Sequence, residues 1–579
     1  MLDKIEALKN WQIAIILAVI GFAVFSVGLN TPFQGDDLPQ LVNNIPLHSI
    51  RNISHFFTGG TLYAAGHGLN LYGVYYRPLM TTVFSLIYTL FGPHQFYFHF
   101  VQLLICIGGA LLLYMFLSYF LEPFLSLVLA IVFLVHPINS QIVYSIPNMQ
   151  DALFFFFGIL GLYLLARYKS PRSLVFVALC LLLSLLSKET GVVFIPISLF
   201  YIFLWDRKRL LPLSGMMVPA IALWLALKTH AVGLLGANPH NAPIDYLSLG
   251  HRLLTAPAIV TFYITKFIFP WKLATAYYWT YPSFSVRHVL LPIIFDVVTL
   301  AVFIYFGYLV RKKASKKEFL AYVFFATWAA VGLVLLLQII PLDNTAAESW
   351  FYFPAAGLLG MIGIVLLAFE DYINPEQFLI IVAMVILLFG IHSLVRGMDY
   401  SSPYKLAKSN IAASKEDYTA YYIVAYNQLE QGNFNQATAD AEQSARIFPT
   451  GDTYSSLALI LSYEGDYPGA MTNYMYALKL GHSLDTSTQY EYIAQLCLLY
   501  GNPSSDKQII LNGIKQYPND VNLRVYLALF EQKNNDYAGA KSTLVALHNN
   551  RQVPSAVYSA IFDNKPLKLP LYSTAVIIP

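Results

Sequence analysis

Residues 11–44 read WQIAIILAVIGFAVFSVGLNTPFQGDDLPQLVNN. No charged side chain occurs from Trp11 to Leu29, and a helix needs about 20 apolar residues, with 17 sufficient, to cross the hydrocarbon core of a bilayer. The run then breaks into Gly35-Asp36-Asp37, so a membrane–water boundary falls directly after the first span. Lys4 and Lys9 flank the segment, but Asp3 and Glu6 stand among them and no small-residue cleavage site is evident. The segment therefore reads as an uncleaved first helix rather than a signal peptide.

The rest of the chain extends this pattern. Of 579 residues, 57% are hydrophobic and 12% charged, against about 25% charged in an average soluble domain. Mean hydropathy is +0.56. That balance excludes a soluble enzyme and a disordered chain. Further apolar runs, free of charge except for Asp296 in one of them, suit helices at 98–120, 124–143, 152–166, 173–187, 190–205, 210–227, 288–310, 319–342, 350–369 and 378–395. The expected fold is all-α: a polytopic membrane bundle of about eleven spans, followed by a helical solenoid. Lys and Arg in short loops set orientation. The clusters at 167–172, 207–209 and 311–317 share one side if the N-terminus is cytoplasmic. Eleven spans then leave the C-terminal repeats extracytoplasmic, outside the plasma membrane of a prokaryote or in the ER lumen of a eukaryote. The run 253–270, interrupted by Lys266, would move the 311–317 cluster outside if it crossed, so it is expected to be re-entrant or interfacial.

Composition changes near residue 414. Between Lys415 and Arg551 there are 14 acidic and 9 basic residues, which leaves 18 acids and 26 bases elsewhere. Neither part suggests nucleic acid as a partner. QGNFNQATADAEQSARIFP from Gln431 recurs as EGDYPGAMTNYMYALKL from Glu464, and NNDYAGAKSTLVAL follows from Asn534. Gly432 and Gly465, like Ala437 and Ala470, lie 33 residues apart. Small residues where paired helices touch, with a period near 34, are the tetratricopeptide signature. About four repeats meet the three or more that stacking requires. The expected organisation is a membrane domain at 1–400 with a first outer loop at about 30–97, a linker at 401–413, repeats at 414–560 and a tail at 561–579. Three cysteines, with Cys106 and Cys180 in apolar runs, give no disulfide framework.

Ionisable groups gather at the outward ends of the spans. Asp36 and Asp37 stand at the boundary after the first span, where paired carboxylates serve as a general base, a metal site or a helix cap. Arg77 lies in YYRPLMTTVFSLIYTLFG; an Arg at membrane depth wants a phosphate or carboxylate, or else snorkels to the interface. HPINSQIVYSIPNMQDAL supplies His136, Gln141, Asn148 and Asp151, LLSKETGVVF supplies Lys188 and Glu189, and PLDNTAAESWFYFP supplies Asp343 and Glu348. On the adopted orientation all four groups open to one face, which implies a cavity there. Asp296 lies within a span and suits structural pairing or function equally.

This combination resembles the GT-C glycosyltransferases. More narrowly, it is similar to the transmembrane O-mannosyltransferases that carry tetratricopeptide repeats and to their bacterial relatives. The resemblance covers nearly the whole chain. It rests on Asp36-Asp37, YRPL at 76–79, FHFV at 98–101, His136-Pro137, Asp151, SKET at 187–190 and AESWFYFP at 347–354, in that order, with the repeats behind. It implies a sugar donor on a polyprenyl or dolichyl phosphate and an acceptor protein held by the repeats. Asp36 and Asp37 would supply the base that deprotonates an acceptor hydroxyl, with inversion at the anomeric carbon. Arg77 and Lys188 would neutralise the donor phosphate, and Tyr76, His136, Asp151, Glu189 and Glu348 would line the substrate cavity. Two positions depart from the pattern. Gln141 stands where relatives tend to have an acid, and Ser349 where they tend to have Arg. Mannose is inherited by analogy and is not read from residues.

Other readings stay open. An oligosaccharide ligase or polymerase of the cell envelope would carry an Arg/His-rich late outer loop; here the region from His230 to His251 offers His240 and, beyond it, Arg252, but no dense cluster. A non-catalytic repeat scaffold would tolerate loss of both aspartates. A transporter lacks a visible inverted repeat. Asp36 and Asp37 would suit Mg²⁺ or Mn²⁺ beside a phosphate, but no cofactor is the favoured expectation.

Overall fold

The computed structural model describes residues 8–63, 69–233, 242–481, 487–500, 503–518 and 520–548. His240, the last stretch of the expected repeats and the tail 561–579 lie outside the described residues. The chain divides into two compact units, Met1–Asp417 and Tyr418–Pro579. Among the described residues the strands amount to one short antiparallel pair, Leu62–Tyr63 with Leu71–Tyr72.

Among the described residues, eight helices of the first unit are long and apolar enough to cross a membrane: Asn10–Gly28, Gln95–Leu117, Ile146–Arg167, Arg207–Val232, Val286–Lys313, Lys316–Leu335, Glu348–Ala368 and Pro375–Asp399. Several carry apolar faces that no protein covers. Val297, Leu300 and Ile304 are 60%, 58% and 63% exposed, at the three- and four-residue spacing of one helix face. Such stripes are stable in lipid and not in water. The protein is a multi-pass membrane protein.

The run expected as one span at 124–143 is broken. Pro123–Val135 and Pro137–Tyr144 meet at 52°. Pro137 has no N–H for a continuing helix and pushes the residue before it out of helical geometry; His136 accordingly has φ −61° and ψ 125°. The runs at 173–187 and 190–205 form shorter apolar helices, Ser173–Ser187 and Glu189–Trp205. The segment expected as re-entrant or interfacial is a continuous helix, Leu249–Ile268, which is not among the helices long and apolar enough to cross. The expected linker is helical as well. Pro403–Ala413 is capped by Ser402 and is tied to the first unit through Asn410.

Packing in this unit depends on close backbone approach. A Cβ on Gly357 would lie 2.7 Å from the Ala329 backbone nitrogen, so Lys316–Leu335 and Tyr352–Ala368 touch where only hydrogen fits. Aromatic rings fill the rest of the core. Trp328 is wholly buried, with its indole N–H donated to the Phe353 carbonyl.

The second unit is a run of helical hairpins: Tyr418–Glu430 with Phe434–Ile447, Gly451–Glu464 with Tyr467–Lys479, Ser487–Tyr500 with Pro503–Gln516, and Val521–Lys533 with Tyr537–His548. Gly465 ends its helix at φ +94°, a left-handed cap that favours glycine. Ala437, Ala458, Ala470 and Ala540 are wholly buried in this unit's core, as the spacing of small residues requires. Asp466 and Asp536 cap equivalent helices by accepting from the Gly469 and Gly539 N–H groups.

Candidate active site

The acidic pair is presented by a tight turn. Asp37 N–H reaches the Gln34 carbonyl at 3.1 Å, and Gly35 sits at φ +55°, a conformation glycine adopts without strain. Asp37 is 4% exposed, accepts the Gln34 N–H at Oδ2 (2.8 Å), and has no hydrogen bond at Oδ1. Its carboxyl is pushed up to about 7, mainly by burial; the Gln34 N–H opposes the shift and the Asp36 charge adds to it. Asp36 keeps an exposed surface while protein surrounds it on its other sides, as for a group lining an open crevice. Its carboxyl is also raised, first by burial, with Arg77 opposing and Asp343 adding.

Arg77 caps the helix Pro78–Phe91. Its guanidinium lies 4.0 Å from the Tyr75 ring centroid, and its Nε is 3.6 Å from Glu189 Oε2. The Tyr75 hydroxyl donates to Asp343, linking residues 268 apart in sequence. Burial raises the Tyr75 hydroxyl, and the Asp343 charge raises it further. Tyr75, Arg77, Glu189 and Asp343 thus meet in one cluster, and the charges of Arg77 and Asp343 reach Asp36. The expected residues Asp36, Asp37, Arg77 and Glu189 come together here. Tyr75 was not singled out, and Asp343 was named without a role. The one signal for Tyr75 in the sequence is its place in YYRPL.

Tyr76 faces inward. It is wholly buried, its hydroxyl donates to the Phe57 carbonyl at 3.1 Å, and its N–H donates to Glu189 Oε1 at 3.1 Å. Lys188, expected at the donor phosphate, has its ammonium 2.6 Å from Asp151 Oδ1, with side chains only 11% and 2% exposed. The two form an ion pair inside the bundle.

His136, Gln141 and Glu348 form a second group. His136 Nδ1 accepts the Ile138 N–H at 3.2 Å, so Nε2 carries the proton that meets the Phe267 carbonyl at 2.9 Å. Glu348 is 1% exposed; its Oε1 accepts the Ala274 N–H (2.8 Å) and the Tyr277 hydroxyl (2.7 Å), while Oε2 has no hydrogen bond. The two departing positions touch each other. Gln141 Oε1 accepts the Ser349 N–H at 3.1 Å, and Gln141 Nε2 donates to the Thr275 carbonyl at 3.2 Å. Arg396, buried on the last long helix, bonds Asp399, Ser409 and Asn410 and acts electrostatically on Glu348. Asp296 accepts the Thr261 hydroxyl at 2.8 Å, a structural partner within the bundle. Among the described residues no group of three or more His, Cys, Asp or Glu is arranged to hold a metal ion.

No protein-family model matches the chain, and no curated protein and no solved structure matches it.

Proposed function

We propose that this chain is a membrane glycosyltransferase of the GT-C type. It moves a sugar from a polyprenyl- or dolichyl-phosphate donor to an acceptor hydroxyl, most simply a Ser or Thr of a protein, with inversion. The observation that carries the reading is the carboxylate pair at the end of the first long apolar helix. An aspartate at its ordinary acidity, near 3.9, is a weak base, whereas a carboxyl near 7 is matched to proton abstraction at neutral pH; Asp37 stands at about 7. Asp36 has the exposure that contact with a hydroxyl requires. Asp37 then holds its neighbour's charge and shares the titration.

In the reaction the acceptor oxygen loses its proton to the acidic pair and attacks the anomeric carbon. The bond to the carrier phosphate breaks on the opposite side, and the phosphate departs with the electron pair. Arg77, beside Asp36, neutralises charge that develops on the leaving group. Lys188 is held by Asp151, and its contribution to the phosphate is through the field of that pair. Mannose is the sugar inherited by analogy.

On this reading the two shorter helices and the broken pair also cross the membrane, giving eleven spans with a cytoplasmic N-terminus. The second unit is a tetratricopeptide solenoid that holds the acceptor protein; the buried alanines and the glycine-capped hairpins support it. The test is transfer in proteoliposomes from radiolabelled polyprenyl-phosphate sugars to membrane proteins. Wild type should label protein in the presence of EDTA, and Asp36→Asn should lose at least 100-fold in rate. Absence of transfer from every donor, with partners still captured by the repeats, would favour a scaffold.

A further inference from the structure

A cationic turn lies beside the Glu348 group. The helix Leu249–Ile268 ends in Phe269-Pro270-Trp271-Lys272. Phe269 and Trp271 are 71% and 74% exposed. Trp271 lies against His392, with centroids 5.9 Å apart. His392 is on Pro375–Asp399, seven residues before its end, about 10 Å along the axis at 1.5 Å per residue. Leu388, Ile391 and Val395 of that helix are exposed apolar residues, so the turn stands beside an uncovered apolar helix face near that helix's end.

The same turn concentrates positive charge. Lys266 Nζ donates to the Trp271 and Lys272 carbonyls, at 2.7 and 2.5 Å, which leaves one ammonium hydrogen for another acceptor. Lys272 is exposed and adopts φ +55°, a region costly for a residue with a Cβ. Backbone strain of this kind persists where the surroundings enforce it, often at ligand sites. Lys266 feels the charges of Lys272 and Arg396 and, against them, that of Glu348, while Arg396 faces Glu348 and Asp399. Arg396 is 3% exposed and bound to Asp399, Ser409 and Asn410, so the cations a ligand can reach from outside are Lys266 and Lys272. From Lys272 the chain runs two residues to Ala274, whose N–H binds Glu348.

We propose that Lys272 and Lys266 take the phosphate group of a polyisoprenyl-phosphate lipid as it arrives from the membrane, with Phe269 and Trp271 along its first isoprene units. The identity of the lipid as sugar carrier rests on the glycosyltransferase reading; the phosphate site rests on the turn. The competing role for such residues is a plain interfacial belt of aromatics and snorkelling lysines.

The experiment measures binding by the full-length protein in phosphatidylcholine nanodiscs. The probes are a polyprenyl monophosphate, the corresponding polyprenol, phosphatidylglycerol and inorganic phosphate. Lys272→Asn removes the charge and keeps a residue tolerant of positive φ; Lys266→Met is the second variant. Wild type should bind the polyprenyl monophosphate at least ten-fold more tightly than the polyprenol, phosphatidylglycerol or inorganic phosphate. Lys272→Asn should lose about ten-fold in that affinity with polyprenol binding unchanged. Wild type that binds polyprenol or phosphatidylglycerol equally well overturns the site in favour of the belt. Unchanged affinity in a folded Lys272→Asn protein also overturns it, whatever happens in Lys266→Met. Selective phosphate binding that the variants lose, in a protein that transfers no sugar, leaves this site standing and removes the transferase reading. Transfer with the variants' donor affinity unaltered does the reverse.

Discussion

Lys188 and Asp151 offer the sharpest test of where the donor phosphate is held. Their 2.6 Å contact has side chains 11% and 2% exposed, and Asp151 Oδ2 has no hydrogen bond. Breaking a buried pair by removing one partner strands a charge, at a cost of about 3–5 kcal/mol. Replacing both partners with apolar residues of similar volume is often neutral, or stabilising by about 1–4 kcal/mol. The perturbation is therefore a cycle: Asp151→Leu, Lys188→Met and the double variant. Each is purified in detergent and followed by thermal unfolding, alongside affinity for a polyprenyl monophosphate. A structural pair predicts that each single variant loses about 3–5 kcal/mol and that the double variant recovers most of it. It also predicts that the double variant keeps its affinity for the lipid phosphate. Single variants as mild as the double would refute the buried-pair argument. A stable double variant with donor binding abolished would put Lys188 on the phosphate after all.

The pH dependence should carry the acidic pair's mark. Asp37 is raised from 3.8 to about 7, so transfer should rise with pH through an apparent pKa near 7 that belongs to the pair, and that limb should vanish in Asp37→Asn. Because the folded pKa lies above the unfolded one, the stability this group contributes is intact below about pH 4 and is lost as pH rises through about 7; melting across that window should fall as activity climbs. Gly191→Ala would set a Cβ 2.4 Å from the Ser184 carbonyl oxygen, displacing the turn that carries Glu189; a loss of about 1–3 kcal/mol in thermal unfolding is expected, with transfer reduced. Gln141→Glu would set a carboxylate against the Thr275 carbonyl in place of the amide donor, and should cost about 1–3 kcal/mol at neutral pH, recovered as acid protonates it.

The helical, multi-pass membrane character was legible because it needs only composition and run length. The 173–187 helix, the first span and the hairpins of the second unit lie close to where apolar runs and the Gly432/Gly465 spacing put them. The break at His136 was legible in principle, since Val-His-Pro carries its own helix stop, but hydropathy averages across it. The site divides along the same line. Asp36, Asp37, Arg77 and Glu189 announce themselves as charges at apolar boundaries. Their partners do not: Tyr75 meets Asp343 across 268 residues, a distance over which one sequence has no register. Burial was equally hidden. Nothing in YYRPL says that Tyr76 is sealed beneath the loop while Tyr75 reaches Asp343, and nothing in SKET says that Lys188 turns inward to Asp151. The departures at Gln141 and Ser349 gain most from the fold. Read along the chain they are two separate uncharged positions among charged neighbours. In space they are one contact, in which a single amide accepts from Ser349 and donates to Thr275. The Gln141 amide satisfies the Ser349 N–H and the Thr275 carbonyl without any buried charge, so a neutral residue suits position 141, and the contact to 349 is made by backbone whatever side chain stands there.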